Sequence, residues 1–296
     1  MVEKITPRVD LAFKKIFGVE ENKDLLISLI NSIVSQEDQV SGVEILNPYN
    51  PRQFKDDKLS ILDIKARGHT GKRYNIEIQL SDEADYDKRA LYYWAKLYSE
   101  QLTKTGRYRS LDKAIGIHIL NFTSIPSVGK YHNVFHLLEK DTGLHYFKDI
   151  ELHTIELNKF DTLPDGLGDA EELRLLLLKI KTSLDRWAAF LSRCYLLQAN
   201  NLPEQLDDPS LKKALGVLEE MNFTQSEREE YETRLKWFRM ETSALEKAEE
   251  KSFQKGIEEG RITMAKALLQ DGVDLTVIAR ASGLSIEELE RLQSST

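Results

Sequence analysis

The chain has 296 residues, 41% of them hydrophobic and 30% charged, with seven prolines, a balance that excludes a disordered or fibrous protein and predicts a packed core. Its net charge of −8 argues against a surface that binds nucleic acid all over, yet residues 1 to 110 hold 18 Lys and Arg against 17 Asp and Glu, so the acidic excess lies wholly after them. The single cysteine, Cys194, excludes an intrachain disulfide and is expected to be buried; no apolar run reaches the roughly 20 residues of a membrane span, and the first residues lack a signal peptide's apolar stretch, so a cytoplasmic protein away from membranes is expected.

In chain order, Phe13, Ile16, Phe17, Leu25, Leu26, Leu29, Ile30 and Ile33 recur at helical spacing, with Asp10 where an N-cap belongs and a break near Gly18. The period then changes to alternation. Leu62, Ile64 and Ala66 take one face of a strand over residues 59 to 67, and Asp63 and Lys65 the other. After the turn residues 68 to 71, Tyr74, Ile76 and Ile78 alternate with Asn75, Glu77 and Gln79, so an antiparallel hairpin is expected. A helix over residues 85 to 103 follows, with Leu91, Trp94, Ala95, Tyr98 and Leu102 on its apolar stripe. Residues 113 to 122 make a strand buried on both faces, and residues 131 to 138 and 145 to 157 two more. From residue 169 onward only helices are expected: 173 to 195, 209 to 220, a long charged helix over 226 to 260 opened by Thr224 and Glu227, and a small helix-turn-helix-like unit. The expected division is a mixed α/β core at residues 1 to 165 and an all-helical C-terminal region at 166 to 296.

Two carboxylates on one face of a hairpin can share one ion. Hard cations such as magnesium take carboxylate oxygens, and such an ion can polarise a phosphodiester and activate water. A half-buried hairpin alternates in the same way without doing any chemistry, so spacing alone leaves both readings open.

Asp63 at the end of an apolar strand, the turn, and Glu77-Ile78-Gln79 on the next strand, set between two helices, resemble the PD-(D/E)xK nuclease superfamily. The run Asp10-Leu11-Ala12-Phe13-Lys14-Lys15-Ile16-Phe17-Gly18, the Glu-x-Gln motif, and the segment from Tyr98 to Phe122 with Gln101, Gly106, Tyr108 and Leu111 resemble more narrowly its recombination-promoting nuclease and transposase family. The similarity runs over about residues 5 to 160, and Lys255-Gly256-x-Glu258-Glu259-Gly260 also looks familial. The resemblance implies a restriction-endonuclease-like mixed sheet flanked by helices. It also implies cleavage of DNA with Mg2+ or Mn2+ in recombination or transposition. Asp63, Glu77 and the carbonyl of Ile78 match the metal ligands. Gln79 stands where the superfamily has lysine, and a neutral amide cannot supply that lysine's positive charge; Lys65, on the face of Asp63, is either its substitute or a solvated strand lysine. Asp10 is a helix cap, reaches the metal through water or fixes the helix that frames the site, and Gln101 either touches the cleft or the scissile phosphate or is an ordinary helix-surface glutamine.

The histidines lack zinc spacing, and no Gly-rich phosphate loop or Gly-x-Ser-x-Gly elbow is present, so no nucleotide cofactor is expected. The helix-turn-helix-like unit offers Glu287, Glu288 and Glu290 against Arg291, poor chemistry for reading a groove, and fits packing or protein interaction better. The long charged helix suggests a homo-oligomer. Gln79 and the acidic balance favour a second reading, a nuclease-derived module that binds nucleic acid or protein without cleaving.

Overall fold

A computed structural model describes residues 5–49, 64–82, 85–102, 106–164 and 166–294. Asp63 and the first part of the expected strand over 59 to 67 lie outside them. Two compact units divide the chain, residues 1–235 and 236–296. The expected division at residue 165 therefore falls inside the first unit.

The first unit opens with α1 (Asp10–Phe17) and α2 (Lys23–Ile33), separated as expected near Gly18. The N-cap of α1 is Val9, without a side-chain cap, so Asp10 is its first residue and not its cap. An acidic side chain there still opposes the positive end of the helix. A six-stranded mixed sheet follows, of β1 (Val43–Ile45), β2 (Ile64–Gly68), β3 (Arg73–Gln79), β4 (Ala114–Leu120), β5 (His132–Leu137) and β6 (Phe147–Glu156), in the order β1-β2-β3-β4-β6-β5. β1, β2 and β3 are antiparallel neighbours, β3–β4 and β4–β6 are parallel, and β5 closes the far edge antiparallel to β6. The parallel step from β3 to β4 needs a crossover, which α3 (Tyr86–Ser99) provides.

Every residue of β4 is buried, as its continuous apolar run predicts for a strand covered on both faces. On one face Ile64, Ile76, Ile78, Ile115, Ile117, Ile119 and Ile155 join the helices in the main core, each buried isoleucine contributing about 1.5–3 kcal/mol by leaving water. After α4 (Leu157–Phe160), that core also takes Leu176 from α5 (Asp169–Leu177), Trp187 and Phe190 from α6 (Ser183–Arg193), and Leu211, Ala214 and Leu215 from α7 (Pro209–Glu219). This sharing keeps residues 166–235 in the first unit.

The single helix expected over residues 173 to 195 is two. Thr182 caps α6 in a reciprocal box with Asp185, whose carboxylate also accepts from the backbone of Lys181 and Thr182, and that cap stops α5 from continuing. α8 (Gln225–Gln270) opens with the expected box between Thr224 and Glu227 and is longer than the charge pattern suggested. The second unit contains the rest of α8 with α9 (Leu275–Ser282) and α10 (Ile286–Ser294) around Ala265, Ile278 and Leu289. Gly283 holds the turn between the last two helices at φ 66°, a left-handed backbone that glycine adopts without strain. Among the described residues no helix is long and apolar enough to cross a membrane.

Candidate active site

β3 turns Tyr74, Ile76 and Ile78 into the main core and Asn75, Glu77 and Gln79 to the opposite face. Glu77 is only 4% exposed. A buried carboxylate is costly unless hydrogen-bonded. Here Asn75 Nδ2 donates to Glu77 Oε1 at 2.7 Å, Gln79 Nε2 donates to Oε2 at 3.4 Å, and Gln79 Oε1 accepts from Arg89 Nη2 on α3 at 2.8 Å. A chain of donors thus runs from a half-buried guanidinium through a carboxamide to the carboxylate.

α3 covers this face, with Tyr86 and Ala90 packed on Leu120 and Phe122. The Tyr86 ring lies edge-on to His118 at 5.8 Å and to Phe122 at 5.5 Å, and the Arg89 guanidinium sits 5.5 Å from its centroid. His118 is the register partner of Glu77 on β4. Burial, reinforced by His153 and Arg89, pushes its imidazole down to about 4, so it is neutral at pH 7. An added Cβ at Gly116 would lie 3.0 Å from His118 Nε2 and 2.7 Å from Leu152 Cδ2, so the ring occupies space that only glycine leaves. Burial first, and the nearby Glu77 second, push the Tyr86 hydroxyl well above the usual phenol range.

Among the described residues, both His118 nitrogens, the Tyr86 hydroxyl and Asn75 Oδ1 are buried without a hydrogen-bond partner. Buried polar atoms are rarely left so, and water or an ion is the usual partner. Glu77 and Asn75 offer carboxylate and carbonyl oxygens, a donor set that suits a hard divalent cation. Among the described residues no group of three or more His, Cys, Asp and Glu side chains is arranged to hold a metal. Asp63, the other expected ligand, lies outside them.

Glu77 and Gln79 therefore come together as the sequence suggests. Lys65 stands on the same face, opposite Asn75, but its ammonium lies 3.7 Å from Glu100 at the end of α3. The Ile78 side chain belongs to the core. Asp10 accepts from its neighbour Leu11 N at 2.8 Å and pairs with Arg234 of α8; burial pushes its carboxyl up to about 6 against the pull of Arg234. Gln101 clamps the backbone of Asp112 through both ends of its amide, at 2.9 and 3.0 Å.

Sequence reasoning missed Arg89, Asn75, Tyr86 and His118. The buried face of α3 is Tyr86, Ala90 and Leu97, whereas Leu91, placed on the expected stripe, is 50% exposed. Phasing the helix on Tyr86 would have set Arg89 beside the buried edge.

On the core face, at the other end of the sheet, Lys113 bridges Asp38 at 2.8 Å and Glu151 at 2.6 Å, and His153 joins Glu151 at 2.7 Å to His132 at 2.9 Å. Burial alone would raise Asp38, but hydrogen bonds from Lys113, Lys72 and Ser35 outweigh it and hold the carboxyl at about 2. The donors of this cluster are spent on one another, which fits a structural network.

A family model described as PD-(D/E)XK nuclease family transposase matches residues 7–248. The match extends well past residue 160 and stops short of the Lys255–Gly260 stretch. No curated protein and no solved structure matches the chain.

Proposed function

Because the chain belongs to the PD-(D/E)XK nuclease family transposases, we propose that it is a divalent-metal-dependent endonuclease that hydrolyses DNA phosphodiester bonds in recombination or transposition. The observation that carries this reading is Glu77, a carboxylate buried against the sheet, held by two amides, and ringed by polar atoms without partners among the described residues.

Asp63 is the second carboxylate of the proposal. It is bonded to Ile64, which pairs with Ile76, and Ile76 is bonded to Glu77. The ion would be held by Asp63, Glu77 and the carbonyl of Ile78, with DNA as the substrate. Mg2+ or Mn2+ bound there supplies Lewis acidity at the scissile phosphate and an activated water. Asn75 and Gln79 orient the Glu77 carboxylate, and the roof formed by α3 limits access of bulk water to it. Asp10, tied to Arg234, fixes the start of α1. Self-association is assigned to α8, where Trp237, Met240, Phe253 and Ile257 are exposed.

The test is nicking of supercoiled plasmid by the purified chain with Mg2+, with Mn2+ and with chelator. Nicking that needs a divalent ion and disappears in Asp63→Ala and Glu77→Ala supports the proposal. DNA binding without cleavage under every ion would instead favour the non-cleaving module that Gln79 suggests.

A further inference from the structure

The acidic half of the proposed site is filled by Glu77, but β3 carries no cation beside it, because Gln79 is neutral. Phosphodiester cleavage adds negative charge at phosphorus, and a preorganised cation in a water-poor site stabilises that charge. Among the described residues, Lys65 and Arg89 are positive side chains near this site. Lys65 shares the face, but its ammonium is 3.7 Å from the Glu100 carboxylate at the far end of α3. Arg89 Nη2 is 2.8 Å from Gln79 Oε1, and the same Gln79 amide reaches Glu77 from its other end. The guanidinium also lies 5.5 Å from the Tyr86 ring, so a hydrogen bond and a cation–π contact together fix it at the site.

We propose that Arg89 is the cation this site presents to the scissile phosphate, with Gln79 as the positioning residue that holds it beside Glu77. The inference rests on the nuclease reading and deepens it. A planar guanidinium suits the task, since it can donate to a phosphate oxygen through one edge while another N–H stays on Gln79. Arg89 moves no proton. Oxygen of the attacking water bonds to phosphorus, one P–O ester bond breaks, and the leaving oxygen takes up a proton equivalent to the one the water loses. The Glu-x-Gln motif then keeps the superfamily's charge arrangement, with the positive group carried on the crossover helix and not on the strand.

The experiment measures single-turnover plasmid nicking with Mg2+, binding of a fluorescent DNA duplex with Ca2+, and melting temperature, in wild type, Glu77→Gln, Arg89→Gln, Arg89→Lys and the double variant Gln79→Lys/Arg89→Gln. Arg89→Gln is expected to cleave about 10²-fold to 10³-fold more slowly, by analogy with removal of one transition-state donor, with duplex affinity changed by less than about tenfold. The double variant is expected to recover at least about tenfold of the lost rate, which a merely structural role for Arg89 would not allow. If Arg89→Gln does not fold, Arg89→Lys serves: a wild-type melting temperature with a rate lowered about tenfold supports the proposal, because an ammonium lacks the fork that spans both partners. A wild-type rate in Arg89→Lys, or in a folded Arg89→Gln, overturns it while Glu77→Gln is inactive, as does a double variant no faster than the single one. Cleavage that survives Glu77→Gln overturns the nuclease reading itself, and this proposal with it.

Discussion

On one face of β3 and β4, Ile76, Ile78, Ile115, Ile117 and Ile119 are at most 4% exposed and pack into the main core. On the other face Asn75, Glu77 and His118 are buried to the same degree, yet polar atoms of Asn75 and His118 have no hydrogen-bond partner among the described residues. The two faces are made by the same alternation along the same strands. The two faces differ in chemistry and not in burial: one is apolar and packs into the main core, and the other, proposed as the functional face, gathers an amide, a carboxylate and an imidazole.

Substitutions should separate the two faces. Glu77→Gln is expected to reduce metal-dependent nicking at least about 10³-fold, since both activated water and charge stabilisation go with the ligand. Its melting temperature should move by no more than about 2–4 °C, the equivalent of roughly 1 kcal/mol in a protein of this size. Across the sheet, Ile117→Ala should do the reverse, costing about 2–5 kcal/mol in urea denaturation through the cavity it leaves while the folded fraction still cleaves. An Ile117→Ala protein of wild-type stability would break the comparison.

A third, smaller effect depends on pH. Asp10 has a carboxyl pushed up to about 6 from an ordinary 3.8. Ionising it therefore costs folding free energy, a cost absent below about pH 4, growing as pH rises towards 6, and complete above that. The stability of Asp10→Asn relative to wild type should improve by on the order of 1–3 kcal/mol between pH 4 and pH 7, measured by urea denaturation. A difference that does not change with pH would mean that Arg234 neutralises Asp10 in full. The smallest effect is expected at Gln101→Ala, about 1 kcal/mol for the lost clamp on Asp112 and no change in cleavage; a large fall in cleavage at unchanged stability would return Gln101 to the site.

β1, three residues long, was not expected because it is too short to show a period, whereas β4 was legible from its continuous apolar run and the hairpin of β2 and β3 from its alternation, with β3 where Tyr74, Ile76 and Ile78 put it. Glu77 and Gln79 were legible for the same reason, as they occupy the other half of that alternation. The break between α5 and α6 was not, because Thr182 and Asp185 lie beyond a leucine-rich run that reads equally well as one continuous helix. Nor was the place of α6 and α7 in the main core: an apolar stripe says that a helix is covered, not by what. Arg89 escaped through an error of phase, since Leu91 is more apolar than Ala90 yet it is Ala90 that packs against Leu120. The proposed site, drawn from a strand and a crossover helix, depends on that phase, which tertiary packing decides.

The most direct test of the central claim is Mn2+ binding by isothermal titration calorimetry, compared among wild type, Glu77→Gln, Asp63→Asn and Ile117→Ala. The account predicts one site in wild type and in folded Ile117→Ala, lost in both carboxylate variants. Binding of equal affinity in wild type and Glu77→Gln would contradict it.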